Sequence, residues 1–199
     1  MKTRNQVLLF TILRLTSVTG LAQGTFLYDQ QSSIEGHYLE GANGNIQAAQ
    51  PFGQSFTPNF SSIGFIRLFI YDSTGGAAGP GTLSINLRAG SITGQILGVT
   101  DPIVLPPAFS GLVDFHFSAP IPITPHNTYA FQPLVTADGR WGTFVDQYNY
   151  AGGSAFSQGS PVPAVDLWFR EGIIVPEPSS CAIVLLGVVA VAVHRHFRK

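Results

Sequence analysis

The sequence is short of charge and of cysteine, and each shortage excludes a class of protein or site. Only 11% of the 199 residues are charged and 45% are hydrophobic, whereas about 25% of residues are charged in an average soluble protein. A chain this apolar does not have the composition of a disordered protein. The single cysteine, Cys181, has no partner for an intrachain disulfide, and one thiol cannot build a cysteine-based metal site.

Lysine is almost absent as well, and the distribution of charge excludes nucleic acid as an expected partner. The only lysines are Lys2 and Lys199, at the two ends of the chain. Between Gln23 and Val175, four arginines stand against ten acidic residues, which gives this part of the chain a net charge of −6. A surface of that sign repels phosphate backbones.

The first 22 residues have the pattern of a secretory signal peptide. Lys2 and Arg4 form a basic start, residues 7–15 are mostly apolar, and small residues precede a cut between Ala22 and Gln23. These are the three parts of such a signal. We therefore expect the export machinery to take the chain across the membrane. The alternative is an N-terminal helix buried in the domain.

The last 25 residues have three parts in a fixed order. The motif Pro176-Glu177-Pro178 follows Val175, and an apolar run covers residues 181–193. A basic end over residues 194–199 contains Arg195, Arg198 and Lys199. This order resembles the PEP-CTERM sorting tail of exported bacterial proteins. The resemblance implies that a membrane protease of the exosortase type processes residues 175–199.

The apolar run of this tail is short for a permanent membrane anchor. Its 13 residues extend about 20 Å as a helix, against about 30 Å of bilayer hydrocarbon. The basic end favours a cytoplasmic C-terminus. We expect a transient anchor in the inner membrane, followed by delivery to the cell surface or the extracellular matrix. A permanent tail anchor without cleavage is the alternative.

Residues 23–174 are predicted to form an all-β domain. In three segments apolar and polar residues alternate, which directs one face of a strand to a core and the other to solvent. Their apolar members are Leu83, Ile85 and Leu87; Val113, Phe115 and Phe117; and Val165, Leu167 and Phe169. A fourth segment, residues 63–71, is almost continuously apolar and predicts a strand covered on both faces.

Further strand candidates, residues 52–56, 95–99, 129–135 and 142–148, bring the total to about eight. Turn-forming segments separate them, since the chain has 22 glycines and 14 prolines. Short strands at regular intervals with such turns predict an antiparallel β-sandwich of the jelly-roll type.

Four short motifs occur in order along this body. They are Gln54-Ser55-Phe56-Thr57-Pro58, Asn127-Thr128-Tyr129-Ala130-Phe131, Tyr150-Ala151-Gly152-Gly153-Ser154-Ala155 and Asp166-Leu167-Trp168-Phe169-Arg170. Together they resemble choice-of-anchor domains, a family of exported β-sandwich domains that occur with varying surface anchors. The resemblance covers residues 52–170 and implies the architecture of a carbohydrate-binding module, but a shared fold does not establish a shared ligand.

No catalytic or cofactor motif is present in the sequence, so we expect a protein that is not an enzyme and uses no cofactor. No metal site is predicted, although calcium at Asp72 or Asp138 is an alternative. The chain lacks Gly-x-Ser-x-Gly, Gly-x-x-x-x-Gly-Lys and His-Glu-x-x-His. The alternative is a secreted carbohydrate-active hydrolase with two carboxylates drawn from Asp114, Asp146, Asp166 and Glu171. For Asp166, which shares a strand face with Arg170, a structural ion pair with neighbouring strands is the simpler expectation.

Aromatic residues in the last third of the chain suggest a polysaccharide-binding face. Trp141, Tyr148, Tyr150 and Trp168 are accompanied there by Asp146. Flat rings suit the C–H side of a sugar, and carboxylates suit its hydroxyls. These five residues form the candidate ligand-binding set. Core packing is the alternative for each, and it is favoured for Trp141.

Trp168 is the critical member of this set because strand alternation separates it from the core. Leu167 and Phe169 share one face of the predicted strand, which leaves Trp168 on the other. An exposed tryptophan on a sheet needs a ligand, a partner or a covering loop. The glycine-rich segment 152–161 is close enough in sequence to provide that loop.

Overall fold

The computed structural model describes residues 24–37, 41–77, 79–136 and 140–176. Within these residues the protein is all-β, and Gly24–Val175 form one compact unit. This part of the chain has no helix of the length and apolar character needed to cross a membrane. The predicted signal peptide, with its cut between Ala22 and Gln23, and the sorting residues from Glu177 to Lys199 lie outside the described residues.

Fourteen strands are found in the described part of the chain. In chain order they are β1 (Thr25–Gln31), β2 (Ala42–Asn45), β3 (Gly53–Phe56), β4 (Ser62–Asp72), β5 (Gly81–Ala89), β6 (Ile96–Val99), β7 (Ile103–Leu105), β8 (Ser110–Pro122), β9 (Tyr129–Thr136), β10 (Trp141–Asp146), β11 (Ala155–Ser157), β12 (Ser160–Val162), β13 (Asp166–Leu167) and β14 (Phe169–Val175). Each of the eight predicted strands overlaps at least one of them. β1, β2, β7, β11 and β12 were not predicted.

The strands form two antiparallel sheets of seven strands each. In the first sheet β8 pairs with one side of β4, and β14 and then β10 pair with the other side. β1 pairs with β14, while β2 and β13 pair with β10. The second sheet has the order β12-β11-β3-β9-β5, and both β6 and β7 pair with the free side of β5. These two sheets agree with the predicted β-sandwich.

The core lies between the sheets and contains the alternating residues that the sequence predicted. Leu83, Ile85 and Leu87 of β5 are fully buried in it. Val113, Phe115 and Phe117 of β8 contribute to the same core. The alternation was readable because the opposite faces of these strands are more exposed.

β4 is covered on both faces, as its continuous apolar sequence predicted. Ile66, Leu68 and Ile70 belong to the core between the sheets. Phe65 and Phe69 are also buried, but they pack against Phe26 and Phe144 on the outer face of the first sheet, which is the face turned away from the second sheet. The outer face therefore has an aromatic layer of its own.

The predicted strand around Leu167 is interrupted at Trp168. β13 ends at Leu167 and β14 begins at Phe169, and both residues are fully buried in the core. β14 continues to Val175, the residue at which the sorting segment was expected to begin. Because Val175 pairs with Thr25 of β1, the domain begins and ends at the same end of the first sheet.

Candidate functional site

Trp141 belongs to the core and offers no surface to a ligand. Its side chain is fully buried. The indole lies against Gly81 of β5, where an added Cβ would be 2.4 Å from the ring. Its Nε1 has no hydrogen-bond partner among the described residues. The core-packing alternative is thus confirmed for Trp141, and its place in the ligand-binding set is wrong because two sheets cover the ring.

Trp168 lies on the face opposite the core, as predicted, but it is fully buried rather than exposed. Its indole Nε1 donates a hydrogen bond to the carbonyl oxygen of Ile34 at 3.1 Å. The Arg170 guanidinium lies 5.8 Å from the ring centre. The covering-loop alternative is therefore correct for Trp168. The hydrogen bond that covers the indole comes from Ile34, in the segment after β1, whereas the sequence had indicated residues 152–161.

Tyr150 is held by structural contacts on several sides. Its hydroxyl donates to Gln30 Oε1 at 3.0 Å and accepts from the Thr57 N–H at 3.3 Å. Its ring meets the Phe169 ring edge-on at 5.2 Å. Burial raises the pKa of Tyr150 to about 12. Tyr150 therefore links β1 of the first sheet to the segment after β3 of the second sheet, and these contacts do not point to a sugar-facing surface.

Asp146 and Tyr148 are two further members of the predicted set, and both side chains are partly exposed. One Asp146 oxygen accepts the Gln147 N–H at 2.7 Å. The Tyr148 hydroxyl lies beside Gly41, where an added Cβ would be 2.9 Å away. The structure therefore does not bring the five candidate residues together as one exposed aromatic face.

The carboxylates of the hydrolase alternative are mostly committed to structural contacts. Asp166 accepts the Gln54 side-chain amide at 2.9 Å and the Tyr150 N–H at 3.0 Å. The ion pair expected around Asp166 and Arg170 instead joins Arg170 to Glu35 at 3.0 Å. The strand break at Trp168 explains this difference, because Asp166 and Arg170 are no longer on one regular strand. Asp146 lies opposite Asp166 in the pairing of β10 with β13.

Glu171 is enclosed and has no route to a substrate. Its side chain is 0% exposed, and neither carboxyl oxygen meets a hydrogen-bond partner within the described part of the chain. Burial raises the pKa of Glu171 to about 9, and the negative charge of Asp29 adds to the rise, while the nearby Gln30 N–H offsets it slightly. The group is a neutral acid at pH 7.

A cleft of about 290 Å³ opens where the edges of the two sheets meet. β2 and β10 border it from the first sheet, and β11 and β12 border it from the second. Phe52, Val145 and Phe156 contribute apolar surface, and the exposed Asn43 contributes an amide. Gly44 keeps the cleft open, since an added Cβ would lie 3.0 Å from both Phe52 and Val145.

Only part of this cleft lies in a region that the sequence had indicated. Val145 falls inside the predicted region around Trp141 and Tyr150, yet the other walls come from residues 43–52 and 155–165. Asn43-Gly44-Asn45 was the available signal, because polar side chains that flank a glycine mark a place where something can approach the backbone. Apolar surface with a few amides is the usual lining of a small-ligand site.

A second polar feature lies on the outer face of the first sheet. Arg67 of β4 and Arg170 of β14 are direct partners in the strand pairing. Asp114 binds Arg67 through both carboxylate oxygens, and Glu35 contacts both arginines. The described residues contain no group of histidine, cysteine and acidic side chains arranged to hold a metal ion.

Comparison with known proteins gives no matching family model and no matching curated protein.

Proposed function

We propose that this chain is an exported, non-catalytic protein of a bacterial cell surface or extracellular matrix, and that its body binds an extracellular polysaccharide. The two terminal signals support export. Residues 175–199 resemble the PEP-CTERM tail, and the body resembles choice-of-anchor domains of jelly-roll type. The chain is anchored transiently in the inner membrane before it reaches its final location.

The cleft between the sheet edges is the observation that carries the binding proposal. Its apolar surface, from Phe52 and Phe156, suits the C–H side of a sugar ring. The Asn43 amide at its border has both donors and an acceptor for sugar hydroxyls. A volume of about 290 Å³ accommodates part of a saccharide chain, since ligand pockets begin at roughly 300 Å³.

Binding of neutral glucans by the full chain tests this proposal, with Asn43→Ala as the cleft variant. Asn43 is exposed, so its loss should leave the fold intact and weaken binding about fivefold, the value of one hydrogen bond. Asn127→Ala is the matched control, because Asn127 is an exposed amide on the turn before β9. Equal binding by all three proteins would contradict the assignment of the cleft.

The proposed export and processing of the chain involve two partners, the export machinery and an exosortase-type protease. β14 ends at Val175, immediately before Pro176-Glu177-Pro178. The folded domain therefore ends where the recognition motif begins, and prolines keep such a motif extended. Intact-mass analysis of surface material should find residues 1–22 and the apolar run absent. Recovery of the tail through Lys199 would contradict processing.

A carbohydrate-active hydrolase is the second candidate, because Asp146 and Asp166 are paired across β10 and β13. Paired carboxylates are the machinery of glycoside hydrolysis. Chromogenic glycosides offered to the full chain separate the two candidates. Turnover that disappears in Asp146→Asn would favour the hydrolase, and no turnover with retained glucan binding favours the binding protein.

A further inference from the structure

Two arginines lie side by side on the outer face of the first sheet. Arg67 and Arg170 are cross-strand partners, so their like charges are neighbours. Such a pair is unfavourable unless other groups compensate it. The body has only four arginines against ten acidic residues, and half of its positive charge is therefore placed at this one point.

Aromatic rings hold both guanidinium groups in position. The Arg67 guanidinium lies 5.2 Å from the Phe26 ring centre and donates to the Tyr28 hydroxyl at 2.6 Å. The Arg170 guanidinium lies 4.9 Å from the Tyr28 ring centre and 5.8 Å from that of Trp168. We call Tyr28, Arg67, Trp168 and Arg170 the platform. Stacking of this kind fixes cations while leaving their N–H groups available for anions.

The two arginines are neutralised unequally. Asp114 satisfies Arg67 with a two-point contact, the strongest arrangement for this pair of groups. Among the described residues Arg170 meets a carboxylate only once, from Nη1 to Glu35 at 3.0 Å, and its buried Nε has no hydrogen-bond partner there. Glu35 is also 4.0 Å from Arg67. Without Glu35, the platform and Asp114 together carry one net positive charge.

Glu35 belongs to a short covering segment, residues 32–37, which we call the strap. One end is fixed, because Ser32 exchanges backbone and side-chain hydrogen bonds with Phe169. The middle is held by the Trp168 contact to the Ile34 carbonyl. The Ile34 side chain is 56% exposed, and the Glu35 side chain is 50% exposed. The strap thus covers the platform while Ile34 and Glu35 remain about half exposed.

We infer that the platform is a binding site for a carboxylate-bearing saccharide, and that Glu35 of the strap occupies the position of the saccharide's carboxylate. This inference rests on the proposed function for the saccharide class, but it concerns a different place from the cleft. A uronic acid has both features that the platform matches. Its ring has a C–H side for Trp168 and Tyr28, and its carboxylate fits Arg170.

The need to cover Trp168 does not by itself explain why two arginines lie beneath the strap. The Ile34 carbonyl already satisfies the indole N–H, and an apolar segment would cover the ring without two arginines beneath it. Asp114 compensates Arg67, so Glu35 is the carboxylate that completes Arg170, and a ligand carboxylate of the same geometry can take its place. When a ligand carboxylate takes over from Glu35, the strap moves and Trp168 becomes accessible.

The test compares the full chain with Glu35→Gln for binding to alginate, a polyuronate, at about 0.15 M salt, where distant acidic residues are screened. Glu35→Gln removes the internal competitor and should bind alginate about fivefold more tightly, as expected for a half-exposed ion pair. Tryptophan emission should change on binding, because Trp168 lies at the site. Adding Arg170→Gln to this variant should remove the gain.

Asp101→Asn is the charge-matched control, since Asp101 is an exposed acid that precedes β7 and lies outside the platform. A tighter complex with Glu35→Gln but not with Asp101→Asn supports the site. If Glu35→Gln binds free glucuronate as well as it binds alginate, the site recognises single acidic sugars. If it binds alginate alone, the site recognises the polymer. Thermal unfolding of each variant confirms that it is folded.

Two results overturn the inference, and they are distinguishable. If Glu35→Gln and the unchanged chain bind alginate equally or not at all while both still bind neutral glucans, the platform is structural and the proposed function stands. If no protein binds any saccharide, the inference and the polysaccharide part of the proposed function fail together. A second variant, Glu35→Ala, repeats the comparison without the side-chain amide that Glu35→Gln introduces next to Arg170.

Discussion

The two tryptophans of the chain are equally buried, but different parts of the molecule cover them. Trp141 lies between the two sheets, against Gly81 of β5. Trp168 lies on the outer face under the strap, which contacts it through the Ile34 carbonyl. Exposure of Trp141 therefore requires the sheets to separate, whereas exposure of Trp168 requires only a short segment to move. Burial by itself does not distinguish a core residue from a covered site.

The largest effect is expected for Trp141→Ala, which should lower the free energy of unfolding by about 4 kcal/mol because it leaves a large cavity between the sheets. Chemical denaturation measures the loss. Trp141→Phe is the matched control and should retain most of the stability, since the indole Nε1 has no partner among the described residues. A loss below about 2 kcal/mol in Trp141→Ala would mean that the ring is not a core residue.

Trp168→Ala should cost less, about 3 kcal/mol, because only the strap has to close over the space that remains. Trp168→Phe separates the ring from its hydrogen bond to Ile34 and should cost about 1 kcal/mol. Denaturation curves give both values. A Trp168→Ala variant as stable as the unchanged protein would show that the strap does not hold the ring, and the contrast with Trp141 would disappear.

The acidic groups of the outer face and of the interior also differ in their surroundings. On the outer face, Asp114 and Glu35 are paired with arginines. In the interior, Glu171 has no such partner within the described ranges, and burial raises its pKa to about 9. Burial without a compensating charge favours the protonated form of a carboxyl. The outer face thus pairs its acidic groups with arginines, whereas burial favours the neutral form of Glu171.

The pH dependence of stability tests this difference, with Glu171→Gln as the variant. Between the ordinary pKa of a glutamate, 4.5, and the folded pKa of about 9, the folded state holds a proton that the unfolded state has released. Stability should therefore fall as pH rises through this window, by up to about 1.4 kcal/mol per pH unit. At pH 7, about 2.5 pH units above the ordinary pKa of 4.5, Glu171→Gln should be more stable by up to about 3 kcal/mol.

The same variant should lose its advantage at pH 4, where the acid is protonated in both states. Asp146→Asn is the comparison, because Asp146 is a partly exposed acid without this burial. Parallel pH profiles for Glu171→Gln and the unchanged protein would show that the carboxyl is hydrated or paired in solution.

Strand alternation predicted the two-sheet fold because it reports on the contrast between core and solvent. The pattern around Leu83 and Phe115 is visible since one side of each strand faces the core. It also placed Trp168 opposite Leu167 correctly. It could not identify the cover, because Ile34 lies 134 residues away from Trp168 along the chain. A period of two gives the face of a residue but not what packs on it.

The cleft and the platform were missed for a related reason. Asn43 and Phe156 line the same cleft only because β2 and β11 lie in two different sheets whose edges meet there. Arg67 meets Arg170 only in the register of β4 with β14. Glu171 was one of four carboxylates considered for a hydrolase, and its burial depends on the pairing of β14 with β1 and β4. A site formed by distant segments can be predicted only when the strand pairing is known, and the local sequence does not give that pairing.

The smallest effect is expected for Ile34→Ser, and it sharpens the comparison of the two tryptophans most directly. The Ile34 side chain is 56% exposed, whereas its carbonyl accepts the Trp168 N–H. If the backbone alone covers the ring, the change in unfolding free energy should stay within about 0.5 kcal/mol, as for an ordinary surface position. Ile66→Ser in the core is the control and should be severely destabilised, because Ile66 is fully buried. A large loss in Ile34→Ser would mean that the strap is held by apolar packing like the core, and that Trp168 and Trp141 are covered in the same way after all.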